Sequence, residues 1–419
     1  MADILFYPPL PSRPLLFDQL FRSVWHFLPA LAKIDRLIFP YAGDDFALLD
    51  ASQILDMGRI YISRDLDPAI ADHAPKYAGK ILLAQTKTRA PADYAAAYPN
   101  LRGVIVWSCG AATVAAAHAI AAATGAEVVL ADPFTVQQET LLLMRFVYKL
   151  FPQEELGALV NECHGRFQTG LKGWLLKAGK PRNFSAFGNG PSLAKVVEAK
   201  IDPGPSVRAV CNSTIGDEAA LAHLDPELLI CGDPVQHWGA SLYAGRFRAD
   251  LKRAMANPRR MLITQLGYVP YFTAVMPEDT HARAIGIGND RRPKFNIDLT
   301  GEFLTAATAN ILTMLMLPVA FTIAGAGKGT VDIFGCDGMA FAQATKPWSH
   351  ANEDDYMGRM AVTHRVHPGF WQRNYEEEYW SYCQDLEEIM QLAEGQGITI
   401  RSRTPSFVPA LGKRYARIA

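Results

Sequence analysis

The feature that most constrains this chain is a short, continuously apolar run that recurs along it, each time followed by a polar or helical stretch. In the first part these runs are Arg36–Pro40 (RLIFP), Arg59–Ser63 (RIYIS), Lys80–Gln85 (KILLAQ), Gly103–Ser108 (GVIVWS) and Glu127–Asp132 (EVVLAD). Continuous rather than alternating hydrophobicity predicts strands buried on both faces. Between the last two, CGAATVAAAHAIAAATG predicts a helix closed by Gly125. Strand–helix–strand alternation implies right-handed crossovers and a parallel, doubly wound sheet. A helix over Val136–Phe151 then leads away from this domain.

Phe167–Arg182 (FQTGLKGWLLKAGKPR) is basic and rich in glycine, which predicts a linker or hinge. Beyond it a second series begins: FSAFGNGPSL, SVRAVCNS, LLICGDP, RRMLITQ, FTAVMP, VDIFGCDG and GITIRS. Several of these runs end in glycine, asparagine or aspartate. Loops at the carboxyl ends of parallel strands are where doubly wound sheets bind ligands. The expected architecture is two Rossmann-like α/β domains facing a cleft, 1–166 and 183–419, joined by 167–182. At 419 residues, more than one core is the ordinary expectation.

Composition excludes several classes. A formal net charge of −1 gives no reason to expect a nucleic-acid partner. The six cysteines (Cys109, Cys163, Cys211, Cys231, Cys336, Cys383) show neither CxxC nor paired Cys/His spacing, so free thiols in a reducing compartment are expected. The start, MADILFYPPLPSRP, lacks the basic and apolar regions of a signal peptide. Residues 304–327 carry no charge and are long enough to span a bilayer. Asn310, Pro318 and the glycines that follow instead predict a buried helix stopped near Pro318 and a turn into TVDIFG. Lys413, Arg414 and Arg417 would let a cytoplasmic protein touch the anionic inner face of a membrane.

Gly188-Asn189-Gly190-Pro191-Ser192-Leu193 follows an expected strand and precedes an expected helix. Glycines there let backbone approach a ligand, and Ser192 would offer its hydroxyl and helix N–H groups to an anion. The plain alternative is a structural turn. Asn212 and Asp233 end the next two strands. Either could merely cap a turn, but with Asn189 they would line one sheet edge, suited to a nucleotide. Thr305 heads the expected apolar helix, as an N-cap or as an anion contact. Gly335-Cys336-Asp337-Gly338 ends a further strand. The loop beyond it holds Lys346, Trp348, His350, Tyr356, His364, Arg365 and His367, a density expected of a lid. One histidine there could serve as a general base.

The series AFGNGPSL, CNS and a strand ending in DP resembles the opening of bacterial sialyltransferases, whose pattern is AGNGPSL, CN and NP. The likeness extends through Thr305, GCDG, the histidine-bearing lid and Pro405-Ser406, over roughly 183–410. With an additional N-terminal domain it resembles two-domain, GT-B-like transferases that use CMP-Kdo. The resemblance implies an inverting, metal-independent glycosyltransferase for capsule or lipopolysaccharide synthesis. It would take a CMP-activated ulosonic acid (Kdo or sialic acid) as co-substrate and modify a glycan or glycolipid acceptor, with no further cofactor. Gly188, Asn189, Gly190, Ser192, Asn212, Asp233 and Asp337 would then bind the nucleotide. Thr305, Lys346, Tyr356 and Arg365 would meet the donor phosphate or carboxylate, and His367, with His364 second, would be the base. Asp233 stands where that family has asparagine, and Ala306 where it has serine.

Two other readings fit the same motifs. One is a pterin-diphosphokinase-like or motility-associated enzyme, which would use Mg²⁺ at Glu353, Asp354 and Asp355. The other is a non-catalytic nucleotide-binding subunit of a polysaccharide assembly complex.

Overall fold

The computed structural model describes residues 1–49, 79–86, 89–291, 294–343, 361, 363–365 and 367–417. The chain is α/β and divides into two compact units, each discontinuous in sequence. Met1–Glu155, Pro234–Ala249 and Arg359–Arg373 form the first, and Leu156–Asp233, Asp250–Gly358 and Asn374–Ala419 the second.

The first unit holds a five-stranded sheet in which every pairing is parallel, in the order β3-β2-β1-β4-β5. Its strands are β1 (Ala2–Tyr7), β2 (Ile34–Tyr41), β3 (Ile81–Gln85), β4 (Leu101–Val106) and β5 (Glu127–Leu130). Four match apolar runs of the sequence, whereas RIYIS lies outside the described residues. β1 is not among the apolar runs picked out in the sequence. Yet ADILFY is continuously apolar apart from Asp3, and it forms the central strand. Helices α1 (Arg13–Phe27), α2 (Ala111–Thr124) and α3 (Glu139–Lys149) accompany the sheet. Gly125 ends α2 in the left-handed region at φ +73°, its N–H returning to the Ala121 carbonyl. Packing is tight where β4 meets α3, since a Cβ on Gly103 would stand 2.3 Å from the Phe146 ring.

The second unit holds an eight-stranded sheet, again parallel at every pairing, in the order β11-β10-β9-β8-β7-β6-β12-β13. The strands are β6 (Asn183–Phe187), β7 (Val207–Cys211), β8 (Leu228–Ile230), β9 (Met261–Gln265), β10 (Ala284–Asp290), β11 (Leu304–Ala306), β12 (Thr330–Phe334) and β13 (Thr399–Ser402). From β6 the chain adds strands to one side as far as β11, then crosses to the other side of β6 for β12 and β13. The strand order therefore reverses between β6 and β12.

Three expectations need correction. The stretch read as a linker is the second half of α4 (Gln153–Ala178), a helix of 26 residues. Cys163, Phe167, Leu171, Trp174 and Ala178 repeat at helical spacing and are all buried in the core of the second unit. FTAVMP is not a strand: its FTAV closes α7 (Val269–Val275), which follows α5 (Ser192–Glu198) and α6 (Leu242–Met255) and has Pro270 in its first turn. Pro318 opens α8 (Leu317–Gly325) instead of ending a helix. It follows a wide turn over Leu312–Met316, in which the Leu317 N–H reaches back to the Leu312 carbonyl. A widened turn of this kind accommodates a residue that lacks an N–H and crowds the preceding turn. Among the described residues no helix is long and apolar enough to cross a membrane. The expected acidic helix is α9 (Tyr375–Gly395).

The Gly103 contact gives a test of the first unit. Gly103→Ala should lower stability by about 1–3 kcal/mol through overpacking, read as a lower urea midpoint. Adding Phe146→Leu should recover part of that loss. Wild-type stability in the single variant would contradict the close β4–α3 approach.

Candidate functional site

In the second unit, the carboxyl ends of the strands bring the nucleotide motifs together. The loop after β6 lies against the loop after β12, its Gly188 and Gly190 N–H groups donating to the Phe334 and Gly335 carbonyls, each at 2.8 Å. No side chain fits between them. A Cβ on Gly188 would stand 2.5 Å from the Gly335 oxygen, and one on Gly190 would stand 2.2 Å from Asp337 Oδ2. The glycines thus serve loop-to-loop packing, with or without a ligand.

Asp337 occupies the place where an anion was expected. The Ser192 N–H donates to both its carboxylate oxygens at 3.2 Å, and Ser192 Oγ donates to Oδ2 at 2.8 Å. Its backbone is fixed as well: Ser406 Oγ donates to the Cys336 and Asp337 carbonyls at 2.7 and 3.1 Å, and the Phe407 N–H donates to the Asp337 carbonyl at 2.7 Å. In the helical turn Asn212–Gly216 after β7, Ser213 Oγ accepts from Asn189 Nδ2 at 3.3 Å, and Thr214 Oγ1 donates to the Gly188 carbonyl at 3.3 Å. Asn212 adopts φ +51°, a left-handed conformation that asparagine tolerates. Its Oδ1 is buried with no hydrogen-bond partner. Asn189, Ser192, Asn212, Asp233 and Asp337 are all half-buried at this edge.

Two residues that were not singled out from the sequence extend the edge. Gln265, at the end of β9, donates through Nε2 to the Gly232 carbonyl at 2.7 Å. Asn289, in β10, donates through Nδ2 to Gln265 Oε1 at 2.7 Å. Their signal was slight: RRMLITQ ends in an amide, and AIGIGND is diluted by glycine. Thr305 is corrected. It lies in β11 rather than at a helix start, is fully buried, and donates to the Gly288 carbonyl at 3.3 Å. Burial pushes the Cys211 thiol up to about 12 and raises the Cys231 and Cys336 thiols, which leaves them neutral. Lys346 and Tyr356 lie outside the described residues, as do His350 and the acids Glu353, Asp354 and Asp355. Among the described residues no group of three or more His, Cys, Asp or Glu side chains could hold a metal ion.

The lid histidines belong to the first unit. His367 is fully buried, with Nδ1 hydrogen-bonded to Glu139 Oε1. Arg22 Nη2 lies 3.2 Å from both that oxygen and that nitrogen. Burial pushes the Glu139 carboxyl up, but the His367 imidazole and the Arg22 guanidinium outweigh it and hold the acid down to about 2. The Glu139 carboxylate thus faces the Nδ1 side of the His367 ring. The other ring nitrogen, Nε2, is buried without a hydrogen-bond partner among the described residues. Burial, with repulsion from Arg22 and His367, lowers His26 to about 3. Burial and His367 lower His364 to about 4. Arg365 is exposed.

Further contacts hold these segments in place. The Gly369 N–H donates to the Pro133 carbonyl at 2.7 Å, and Gln137 Nε2 to the Gln372 carbonyl at 2.8 Å. Trp25 Nε1 donates to the Trp238 carbonyl at 2.7 Å, and the Arg248 guanidinium lies 3.9 Å above the Trp25 ring. Asp18, Arg22 and His26 recur every fourth residue on α1, a spacing that marks one helix face and could have disclosed the cluster. No protein-family model, curated protein or solved structure matches the chain.

The buried cluster sets a pH dependence. His26 and His364 titrate below the ordinary histidine value when folded, so the unfolded chain binds the extra protons as pH falls. Their contribution is whole above about 6.5 and is lost toward 4 and 3. The Glu139 contribution is whole above about 4.5 and fades as pH falls toward 2. The urea midpoint should therefore hold above about pH 6.5 and drop steadily from there to pH 4. Glu139→Ala, which removes the carboxylate shared by the buried Arg22 and His367, should cost roughly 3–5 kcal/mol at pH 7. A flat pH profile with a tolerant Glu139→Ala would contradict this arrangement.

Proposed function

We propose that the chain is a glycosyltransferase that binds a CMP-activated ulosonic acid at the carboxyl edge of the eight-stranded sheet. The observation that carries this reading is the reversal of strand order between β6 and β12. Ligands of open parallel sheets bind outside the carboxyl ends of the strands at such a point. The loops that meet there are Gly188–Ser192 and Gly335–Gly338, with Asn212 and Ser213 in the helical turn that follows the adjoining strand β7. These are the segments that carry the resemblance to sialyltransferases.

In this reading an acceptor hydroxyl attacks the anomeric carbon, the bond to the CMP oxygen breaks, and the configuration inverts. The attacking hydroxyl gives up its proton to a base. The resemblance assigns that role to His367, with His364 second. His367 is oriented by Glu139, and the role requires a conformation in which its Nε2 is uncovered. Capsule or lipopolysaccharide glycans are the acceptor class that follows from the resemblance.

Isothermal titration of the full chain with CMP, UMP and ADP, first in EDTA and then with Mg²⁺, tests the reading. Micromolar binding selective for CMP in EDTA is the expected result. Binding only of adenine nucleotides with Mg²⁺ would overturn it in favour of diphosphate transfer, and no nucleotide binding would overturn it outright.

A further inference from the structure

We propose that Asp337 makes the β6–β12 loop pair a ribose-reading site that keeps phosphate away, so that the chain selects ribonucleotides over deoxyribonucleotides. The inference rests on the nucleotide-binding reading above and names the part of the ligand that this edge takes.

A phosphate cradle is built from backbone N–H groups left free to face the anion. Most backbone donors of this loop are turned to the protein itself. Gly188 and Gly190 give theirs to Phe334 and Gly335, Ser192 to Asp337, Leu193 to Gly190 and Ala194 to Pro191, while Pro191 has none. The atom brought closest to Gly190 is a carboxylate oxygen, Asp337 Oδ2. A phosphate there would meet negative charge.

What the loop pair offers instead is acceptors. Asp337 is half-buried and held from both sides, by Ser192 on its carboxylate and by Ser406 and Phe407 on its backbone. Three donated hydrogen bonds leave acceptor capacity on a carboxylate, which has about four lone-pair sites and can take two bonds to one oxygen. In the helical turn after the adjoining strand, Asn212 Oδ1 is a second acceptor, buried and without a hydrogen-bond partner among the described residues. Buried acceptors without donors are rare and call for a partner. A vicinal diol supplies two donors at the spacing of one carboxylate, and an acidic side chain on ribose hydroxyls is a recurrent solution in doubly wound sheets. A deoxyribose lacks one of those hydroxyls.

The test compares CMP, 2′-deoxy-CMP and inorganic phosphate on the full chain, for wild type and Asp337→Asn, by titration calorimetry. A hydrogen bond to a charged group is worth at least about tenfold in affinity. Wild type should therefore bind CMP at least about tenfold more tightly than 2′-deoxy-CMP. Asp337→Asn should weaken CMP by a similar factor and weaken 2′-deoxy-CMP, which keeps one of the two hydroxyls, less, and phosphate should not compete. Equal binding of the two nucleotides, or tighter CMP binding by Asp337→Asn, would overturn the proposal while leaving the CMP reading intact. Should Asp337→Asn fold poorly by its urea midpoint, the wild-type comparison decides alone. AMP, GMP and UMP with their deoxy forms are titrated too. A ribose preference with one of these overturns only the cytidine assignment, and no ribonucleotide binding at all overturns both readings.

Discussion

Gly188 and Gly190 press against the backbone of Gly335 and the carboxylate of Asp337, and the geometry of the candidate site follows from that contact. Strand β6 starts the second unit's sheet, and β12 joins its other side only after the chain has laid down β7 to β11. Two loops so far apart in sequence can lie together only if neither carries a Cβ at the point of approach. The same contact delivers Asp337 to Ser192. It turns what reads in sequence as a cradle for an anion into an edge rich in acceptors.

The first unit depends on a different constraint. Two stretches from later in the chain complete it, and both are held by buried polar contacts rather than by strand pairing. Arg359–Arg373 is joined to α1 and α3 through His367, Arg22 and Glu139, and Pro234–Ala249 to α1 through Trp25 and Arg248. A buried ion pair adds little net stability, but losing one partner is costly, so such a cluster fixes which segments must be in place. His367 is thus a residue with a visible structural task, and any proton transfer by it has to be reconciled with that task.

Much of the fold was legible because strands buried on both faces leave continuous apolar runs, as in RLIFP, GVIVWS and VDIFGCDG. The elements misread were those where local composition and tertiary packing disagree. Glycines and lysines made α4 look like a hinge, although its buried residues keep helical spacing. FTAVMP has β-favouring residues but follows a helix-opening proline. At the site, the motif positions were readable since glycine, asparagine and aspartate punctuate strand ends. The partner of each was not. Nothing in GNGPS indicates that its serine is met by an aspartate 145 residues away, and no local pattern pairs Glu139 with His367.

Hydrogen–deuterium exchange of the full chain with and without CMP tests the central claim, that the nucleotide sits where strand order reverses. The account predicts slowed exchange in peptides covering 188–192, 212–214 and 335–338. It predicts no change around α2 and β5 of the first unit. Slowed exchange elsewhere, with those three segments unaltered, would contradict it.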